Sequence, residues 1–202
     1  MRVINITRTR VGKKALAEVR RALLAAEVVA FPTETAYGLA ADPRNPKAVR
    51  EVFRIKGRSG AKALPFVAAG EAAVAKQFVL KGRAAGLARK HWPGALTIVL
   101  PFKKGSMLAK VSGQKTGGVR VPASAWARAV ARAAGGIATS TSANLSGEKS
   151  IYGAAKVIAA FRGRRAPAIV LDAGTLPQRP PSTVVAFKNG KAVVLRQGTV
   201  KT

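Results

Sequence analysis

Apolar residues recur along the chain with two spacings, one typical of helices and one typical of strands. In residues 13–27 the side chains of Leu16, Val19 and Leu23 fall on one side, which predicts an amphipathic helix. The continuous apolar run 28–31 follows directly, and its length predicts a short buried strand. The first pattern is therefore a helix that leads into a strand.

The same two patterns continue to the end of the chain. Pro46 can open a second helix that runs to Lys56, because proline is favoured at the first helical position. Further helices are predicted at 71–79, 83–91, 124–134 and 153–161. Further strands are predicted at 64–68, 96–100, 119–121, 137–139, 168–171, 183–187 and 192–195. This alternation predicts a fold of the α/β class with a mixed sheet.

Length and composition favour a single domain that spans residues 1–202. A chain of 202 residues with 48% apolar residues can bury one sizeable core. It has no run of about eighteen apolar residues, which excludes a membrane-spanning helix. The first residues lack the apolar segment of a secretory signal, and the absence of cysteine excludes disulfides and thiolate metal sites. We therefore expect a cytoplasmic protein without a membrane partner.

The charge of the chain is strongly positive. Lysine and arginine number 36 against 8 acidic residues, which gives a net charge of +28. Such a field attracts polyanions and steers phosphates. Aromatic residues make up only 5% of the chain, so recognition of the backbone and shape of folded RNA fits better than stacking on single strands. We therefore expect tRNA or another RNA as a partner of the basic surface.

The segment 32–39 places hydroxyl groups and a carboxylate in a turn directly after the predicted strand. The polar residues in it are Thr33, Glu34, Thr35 and Tyr37. The hydroxyls of such a turn either satisfy its own backbone or bind a ligand. The turn alone leaves both interpretations open.

Residues that could hold a nucleotide are dispersed, because the chain has neither a G-x-x-x-x-G-K-[ST] loop nor a G-x-G-x-x-G fingerprint. Lys56 and Arg58 place two cations at the end of the second helix, where an ammonium and a planar guanidinium suit phosphate oxygens. The hydroxyl-rich segment 139–147 can wrap an anion with its backbone N–H groups, and it can equally cap a helix. With His91 as the one histidine, no metal site built from protein ligands is predicted.

Short motifs of these kinds follow one another in order along the chain. They are Pro32 to Leu39, Lys56 to Arg58, Trp92 to Gly94, Val119 to Pro122, Ser142 to Gly147, Ser182 to Val185 and Leu195 to Gly198. From about residue 15 to 198 the chain resembles the YrdC/TsaC family of threonylcarbamoyl-AMP synthases, in the short form without the extra C-terminal domain. The resemblance implies a single YrdC-like domain, with a twisted mixed β-sheet flanked by helices around a basic concave cavity.

The resemblance also implies an activity. Members of the family are nucleotidyltransferases that convert L-threonine, bicarbonate and ATP into threonylcarbamoyl-AMP and pyrophosphate, for the threonylcarbamoyladenosine modification of tRNA. ATP would be a substrate, Mg²⁺ would be bound through its phosphates, and downstream threonylcarbamoyl transfer proteins would be further partners. One alternative is a non-catalytic module of the same fold that binds double-stranded RNA or tRNA. Another is the carbamoyl-adenylate domain of hydrogenase maturation proteins, whose zinc-finger partners would need the cysteines that this chain lacks.

The matching positions imply roles for individual residues. Lys56 and Arg58 would hold the ATP phosphates and carry catalysis. The threonine site would be formed by Thr33, Tyr37, Arg120, Ser142 and Ser182. Further nucleotide contacts would come from Lys62, Thr116, Asn144 and Arg196.

Some positions depart from the family pattern. The segment 62–64 stands where Asn-Pro-Leu usually follows the K-x-R motif, and Val67 stands where a histidine is usual, so one threonine contact is lost or replaced. Pro181 replaces a glutamate that commonly precedes Ser-Thr-Val. The net charge of +28 exceeds what the chemistry requires, and the sequence gives no physical account of the excess.

Overall fold

Helices and strands alternate in the computed structural model, which describes residues 1–58, 64–188 and 190–201. The strands are β1 (Arg2–Asn5), β2 (Val29–Pro32), β3 (Tyr37–Ala40), β4 (Phe66–Ala68), β5 (Leu96–Pro101), β6 (Thr116–Arg120), β7 (Ile137–Thr139), β8 (Thr141–Ser142), β9 (Ile169–Asp172), β10 (Thr183–Lys188) and β11 (Lys191–Arg196). The helices are α1 (Lys13–Leu24), α2 (Pro46–Lys56), α3 (Glu71–Gln77), α4 (Gly82–His91), α5 (Met107–Ser112), α6 (Ala125–Ala133) and α7 (Ala154–Ala160). None of these helices is both long enough and apolar enough to cross a membrane.

The strands of the described residues form two mixed sheets. The first has the order β1-β9-β2-β3-β8, and the second has the order β11-β10-β5-β6-β4-β7. Strand β2 is parallel to β9 and antiparallel to β3, and β5 is parallel to β10 and antiparallel to β6. The predicted α/β class is confirmed, although the strands divide between two sheets where we expect one. Apolar spacing predicts a strand, whereas contacts distant in sequence choose its partner.

Three clusters of buried side chains define the layers of the fold. Helices α2 and α7 pack on one face of the first sheet, where Val52 and Val157 share a cluster with Leu39. Helices α1 and α6 cover the other face, and Trp126 of α6 shares its cluster with Val67 of the second sheet. The remaining face of the second sheet packs against α3, α4 and α5. Helix α6 therefore joins the two sheets through one core.

Local sequence determines both ends of α2. The Oδ1 atom of Asn45 accepts a hydrogen bond from the backbone N–H of Lys47 at 2.9 Å, and Pro46 occupies the first turn. Gly57 ends the helix with a φ of 57°, a left-handed conformation that glycine adopts without steric cost. The helix therefore ends where predicted, and the glycine turn separates it from Arg58.

The periodicity does not predict four elements of the described fold, which are β1, β3, α5 and β8. Strand β1 is largely exposed and pairs with β9 from the far end of the chain, so its own residues show no buried face. Strand β3 lies inside the segment 32–39 that we interpret as a turn. Only residues 33–36 form the turn, and residues 37–40 return as a buried strand beside β2.

Candidate active site

A cavity of about 430 Å³ is lined by residues of both sheets. The lining includes the β2–β3 turn and β8 of the first sheet, and parts of β5, β6 and β10 of the second. Four arginines contribute to it, which are Arg58, Arg120, Arg179 and Arg196. Hydroxyl groups come from Thr33, Thr35, Tyr37, Thr97, Ser140, Thr141, Ser142, Ser150, Tyr152 and Ser182. Within the described residues no carboxylate lines the cavity, so its composition suits a polar, anionic ligand.

The β2–β3 turn is closed by the hydroxyl of Thr33. Its Oγ1 accepts hydrogen bonds from the backbone N–H groups of Thr35 at 3.0 Å and Ala36 at 3.1 Å. The same hydroxyl donates to the carbonyl of Ala36 at 2.7 Å. These contacts satisfy the turn internally, while Thr33 and Thr35 still line the cavity. The interpretation that the hydroxyls satisfy the turn's own backbone is confirmed for Thr33, and ligand binding by this segment stays a prediction.

Arg120, at the end of β6, is almost fully buried beside this turn. Its Nη1 donates to Oε1 of Glu34 at 2.6 Å, and its Nη2 donates to Oγ1 of Thr35 at 3.3 Å. The Oε2 atom of Glu34 accepts a hydrogen bond from the backbone N–H of Ser124 at 3.3 Å. Burial lowers the pKa of Arg120, and the adjacent Glu34 carboxylate opposes that shift. The turn, β6 and the start of α6 thus meet around one ion pair.

Arg196, at the end of β11, is fixed by Ser182. Its Nη2 donates to the carbonyl of Ser182 at 2.8 Å and to the Ser182 Oγ at 3.1 Å. The Ser182 Oγ also lies 2.9 Å from Oγ1 of Thr97 on β5. Arg196 and Arg120 line the same cavity. Burial lowers the pKa of Arg196, and the charge of Arg120 lowers it further.

The glycine at position 198 permits this arrangement. A Cβ atom added to Gly198 would lie 2.0 Å from the carbonyl oxygen of Pro181 and 2.6 Å from the backbone of Ser182. The chain after β11 therefore approaches the 181–183 segment more closely than any residue with a side chain allows.

Lys56 and Asn144 lie behind the cavity wall, and neither lines the cavity itself. The Nζ atom of Lys56 donates to the carbonyl of Ser142 at 2.6 Å and to the carbonyl of Asn144 at 2.7 Å. The backbone N–H of Ser146 in turn donates to the carbonyl of Lys56 at 2.9 Å. Burial, with a smaller contribution from the charge of Arg58, lowers the pKa of Lys56 to about 8. Lys56 therefore anchors the segment 142–146 from behind.

Arg58 differs from these anchored cations. It lines the cavity, and its buried Nε atom has no hydrogen-bond partner within the part of the chain that the structure describes. A buried donor left without a partner carries a desolvation cost that a bound acceptor would remove. Among the described residues that we predict to bind phosphate, Arg58 and Arg196 line the cavity, whereas Lys56 lies behind its wall.

Other predicted site residues are placed less directly. The Tyr37 hydroxyl donates to the carbonyl of Gly174 at 2.9 Å and accepts from the N–H of Ala173 at 3.0 Å, and burial raises its pKa. It therefore supports the wall through β9. Thr116 is exposed at the start of β6 and outside the lining of this cavity, and Lys62 lies outside the described residues. The predictions for the last two stay predictions.

Glu34, Thr97 and Arg179 belong to the site although their sequence context gives them no role. Glu34 lies in a motif that the sequence does single out, and its carboxylate is the signal that points to a cationic partner. Thr97 lies in an apolar strand and Arg179 in a proline-rich segment of a very basic chain, so neither stands out. Position 67 carries a valine that is fully buried in the core joining the sheets, so it offers no contact to a ligand.

Comparisons with known proteins identify the family of the chain. The family model for Sua5/YciO/YrdC domains, described as "Telomere recombination", matches residues 21–198. Threonylcarbamoyl-AMP synthase of Bacillus subtilis is 36% identical over 179 residues, which cover 86% of this chain and 50% of that protein. The protein of the same name from Thiobacillus denitrificans is 36% identical over 166 residues, which cover 81% of this chain and 86% of that protein.

The fold is similar to that of P. abyssi Sua5, whose crystal structure was solved in complex with L-threonine. The TM-score is 0.87 at 30% sequence identity, over 98% of this chain and 58% of that chain. This chain thus spans about half the length of the B. subtilis and P. abyssi relatives. The matched regions nevertheless include every motif from the β2–β3 turn to Arg196. By sequence and by fold, the chain belongs to the Sua5/YciO/YrdC family.

Proposed function

We propose that the protein is an L-threonylcarbamoyladenylate synthase. In this function it is a nucleotidyltransferase that makes threonylcarbamoyl-AMP and pyrophosphate from L-threonine, bicarbonate and ATP for the modification of tRNA. The names of the relatives and the threonine complex of the P. abyssi protein support the proposal. The observation that carries it is the cavity, in which Arg120 with its hydroxyl neighbours and Arg58, whose Nε atom has no hydrogen-bond partner among the described residues, offer two separate anion contacts.

Threonine fits the part of the cavity around Arg120. The threonine carboxylate would accept hydrogen bonds from the guanidinium, which suits a planar carboxylate better than an ammonium does. Ser182 and Ser142 would supply hydroxyls for the hydroxyl and the amine of the substrate, while Thr33, whose hydroxyl is bonded within the turn, would form the adjacent wall of the threonine site. Tyr37 holds the wall rather than the substrate, since its hydroxyl is bonded to the backbone after β9.

ATP fits the part of the cavity around Arg58 and Arg196. Arg58 would donate hydrogen bonds to phosphate oxygens. Arg196 would be the second guanidinium at the phosphates, and its N–H donors would be shared between Ser182 and ATP. Lys56 and Asn144 would act by fixing the segment 142–146 against the nucleotide. Thr116 and Lys62 remain proposed nucleotide contacts.

A divalent ion would be held by the phosphates of ATP. The described lining contains hydroxyls and guanidiniums but no carboxylate, and Mg²⁺ prefers anionic oxygen ligands. The chain therefore fits Mg²⁺ only as a companion of ATP. When bound there, the ion would neutralise charge on the phosphates.

The reaction requires positioning more than it requires a protein nucleophile. The threonine amine and bicarbonate form a carbamate with loss of water, and a carbamate oxygen then bonds to the α-phosphorus while the bond to pyrophosphate breaks. Guanidiniums that stabilise the charge on the phosphates supply the main catalytic effect in reactions of this kind. A cavity that holds the carbamate next to ATP removes most of the entropic cost of their encounter.

The experiment that tests the proposal measures pyrophosphate release by the purified protein. Release is expected with threonine, bicarbonate and ATP together and is lost when any one is omitted. Arg58→Ala is expected to abolish release, whereas Arg162→Ala removes an equal charge from the exposed end of the α7 region and is expected to retain it. Release that continues without threonine would refute the proposed function. Full activity of Arg58→Ala would refute the role of that residue.

The net charge of +28 favours one second candidate, a module that binds tRNA or double-stranded RNA. RNA binding is also compatible with the synthase, and proteins that take up threonylcarbamoyl-AMP would be further partners. A salt titration of RNA affinity tests this candidate, because contacts to phosphates weaken steeply as salt rises. RNA affinity without threonine-dependent turnover would favour the module over the enzyme.

A further inference from the structure

Glu34 does not line the cavity, but its carboxylate contacts Arg120, which does. Its two oxygens have different partners, the Arg120 guanidinium at 2.6 Å and the Ser124 backbone N–H at 3.3 Å. The side chains of Glu34 and Arg120 are only 13% and 8% exposed, so water screens their interaction little. These contacts hold the two side chains of the pair in one relative position.

This contact determines which donors of Arg120 remain available. A guanidinium carries five N–H donors, and the contacts of Arg120 within the described residues involve Nη1 and Nη2. The Glu34 carboxylate, which lies in the β2–β3 turn, therefore fixes the orientation of the Arg120 guanidinium. The remaining donors are left for a ligand in a fixed orientation.

Glu34 also makes the charge of the cavity uneven. It offsets the charge of Arg120, whereas no ion pair in the described residues offsets Arg58, Arg179 or Arg196. A dianion such as a phosphate is attracted mainly by uncompensated charge, while a carboxylate can still bind an oriented, compensated guanidinium through hydrogen bonds.

We propose that Glu34 is a positioning and specificity-determining residue that reserves Arg120 for a carboxylate and keeps phosphate groups away from it. The proposal deepens the proposed function, since it explains how threonine and ATP take different ends of one basic cavity. Without the carboxylate, Arg120 and Arg196, which line the same cavity, would form one strongly basic surface that a phosphate could occupy.

The test titrates the full chain with threonine by calorimetry, in the presence and absence of inorganic phosphate and without ATP. Phosphate is expected to leave the threonine affinity of the wild-type protein unchanged. In Glu34→Gln, which keeps the size of the side chain and removes its charge, phosphate is expected to compete with threonine. The direct affinity for phosphate is expected to rise about tenfold, because the charge of Arg120 is then no longer offset by a carboxylate. Phosphate affinity within about twofold of the wild-type value would overturn the specificity role.

A second variant separates charge from position. Glu34→Asp keeps the charge but is too short to contact both Arg120 and Ser124 as Glu34 does. Phosphate is expected to stay excluded, while the kcat with threonine falls about tenfold and the KM for ATP does not change. An unchanged kcat in Glu34→Asp would overturn the positioning role. Competition by phosphate in this variant would overturn the role of charge, even if Glu34→Gln failed to fold.

Glu51→Gln is the matched control. Glu51 forms exposed ion pairs with Arg54 and Arg165, so removing its charge tests whether any lost carboxylate increases phosphate binding. No change is expected, and an increase equal to that of Glu34→Gln would refute a local effect. If the wild-type protein binds no threonine, the proposed function fails. The direct phosphate titrations still decide whether Glu34 excludes phosphate from Arg120.

Discussion

Arg120 and Lys56 are both buried cations beside the same cavity, yet different groups satisfy them. Arg120 is paired with the Glu34 carboxylate, whereas Lys56 donates to the carbonyls of Ser142 and Asn144. A carboxylate offsets the charge of its partner, while carbonyls satisfy hydrogen bonds but leave a desolvated charge. Burial, followed by the charge of Arg58, lowers the pKa of Lys56 to about 8. Burial also lowers the pKa of Arg120, but there the Glu34 carboxylate opposes the shift.

The two contacts also act on different parts of the site. The Arg120 ion pair joins the β2–β3 turn to α6 and faces the cavity. The Lys56 contacts hold the segment 142–146 from the side away from the cavity. A basic residue in a family motif can therefore serve the site either by facing the ligand or by holding the wall.

Removing the Arg120 side chain is expected to have the largest effect on stability and threonine binding. Arg120→Ala leaves Glu34 buried without its partner, which costs about 3–5 kcal/mol of unfolding free energy, and removes the proposed threonine carboxylate contact. Urea unfolding and threonine titration measure the two effects. Arg162→Ala, an exposed control, is expected to change neither. A stable Arg120→Ala protein with normal threonine affinity would contradict this account of the region.

Removing the Lys56 ammonium is expected to have a smaller effect on stability. Lys56→Met keeps the apolar stem but leaves the carbonyls of Ser142 and Asn144 without their donor, at about 1–3 kcal/mol. Faster amide exchange is expected at Ser146, whose N–H is bonded to the Lys56 carbonyl. Unchanged exchange in the segment 142–146 would show that the lysine does not hold it.

The pH dependence of stability sharpens the contrast between the two cations. The pKa of Lys56 is about 8 in the folded protein against an ordinary value of 10.5, so the unfolded chain binds more protons between these values. The unfolding free energy of the wild-type protein should therefore rise relative to that of Lys56→Met as the pH increases from about 8 to 10.5. Denaturant unfolding at several pH values measures this difference, and a flat or falling difference would contradict the buried charge.

The smallest effect is expected from Ser182→Ala. Arg196 keeps its bonds to the Ser182 carbonyl, so only the hydroxyl contacts to Thr97 and Arg196 are lost, at about 1 kcal/mol. Thermal unfolding and the KM for threonine measure the change. A loss as large as that of Arg120→Ala would mean that the hydroxyl, rather than the ion pair, organises the cavity.

The sequence predicts the elements of this fold better than their arrangement. Apolar spacing locates α1, α2 and α6 because each has one buried face, and the caps at Asn45 and Gly57 confirm the ends of α2. It misses β1, whose exposed residues show no such face. The division into two sheets depends on pairing between distant strands, which local periodicity does not contain.

The candidate site is predictable to the same degree. The ordered motifs contain several residues that line the cavity, among them Arg58, Arg120 and Arg196, because a family resemblance preserves position along the chain. They do not distinguish Lys56, which faces backbone carbonyls, from Arg58, which lines the cavity two residues later. That distinction arises from the turn at Gly57 and from the contacts of Lys56 with the segment 142–146. Contacts between residues so distant in sequence are not contained in the local pattern.

The most direct measurement of the central claim identifies the product by mass spectrometry when the protein is supplied with threonine, ATP and carbon-13-labelled bicarbonate. We expect an adenylate that contains both threonine and the labelled carbon, formed together with pyrophosphate. An adenylate of threonine without the label, or no threonine-containing adenylate, would contradict it.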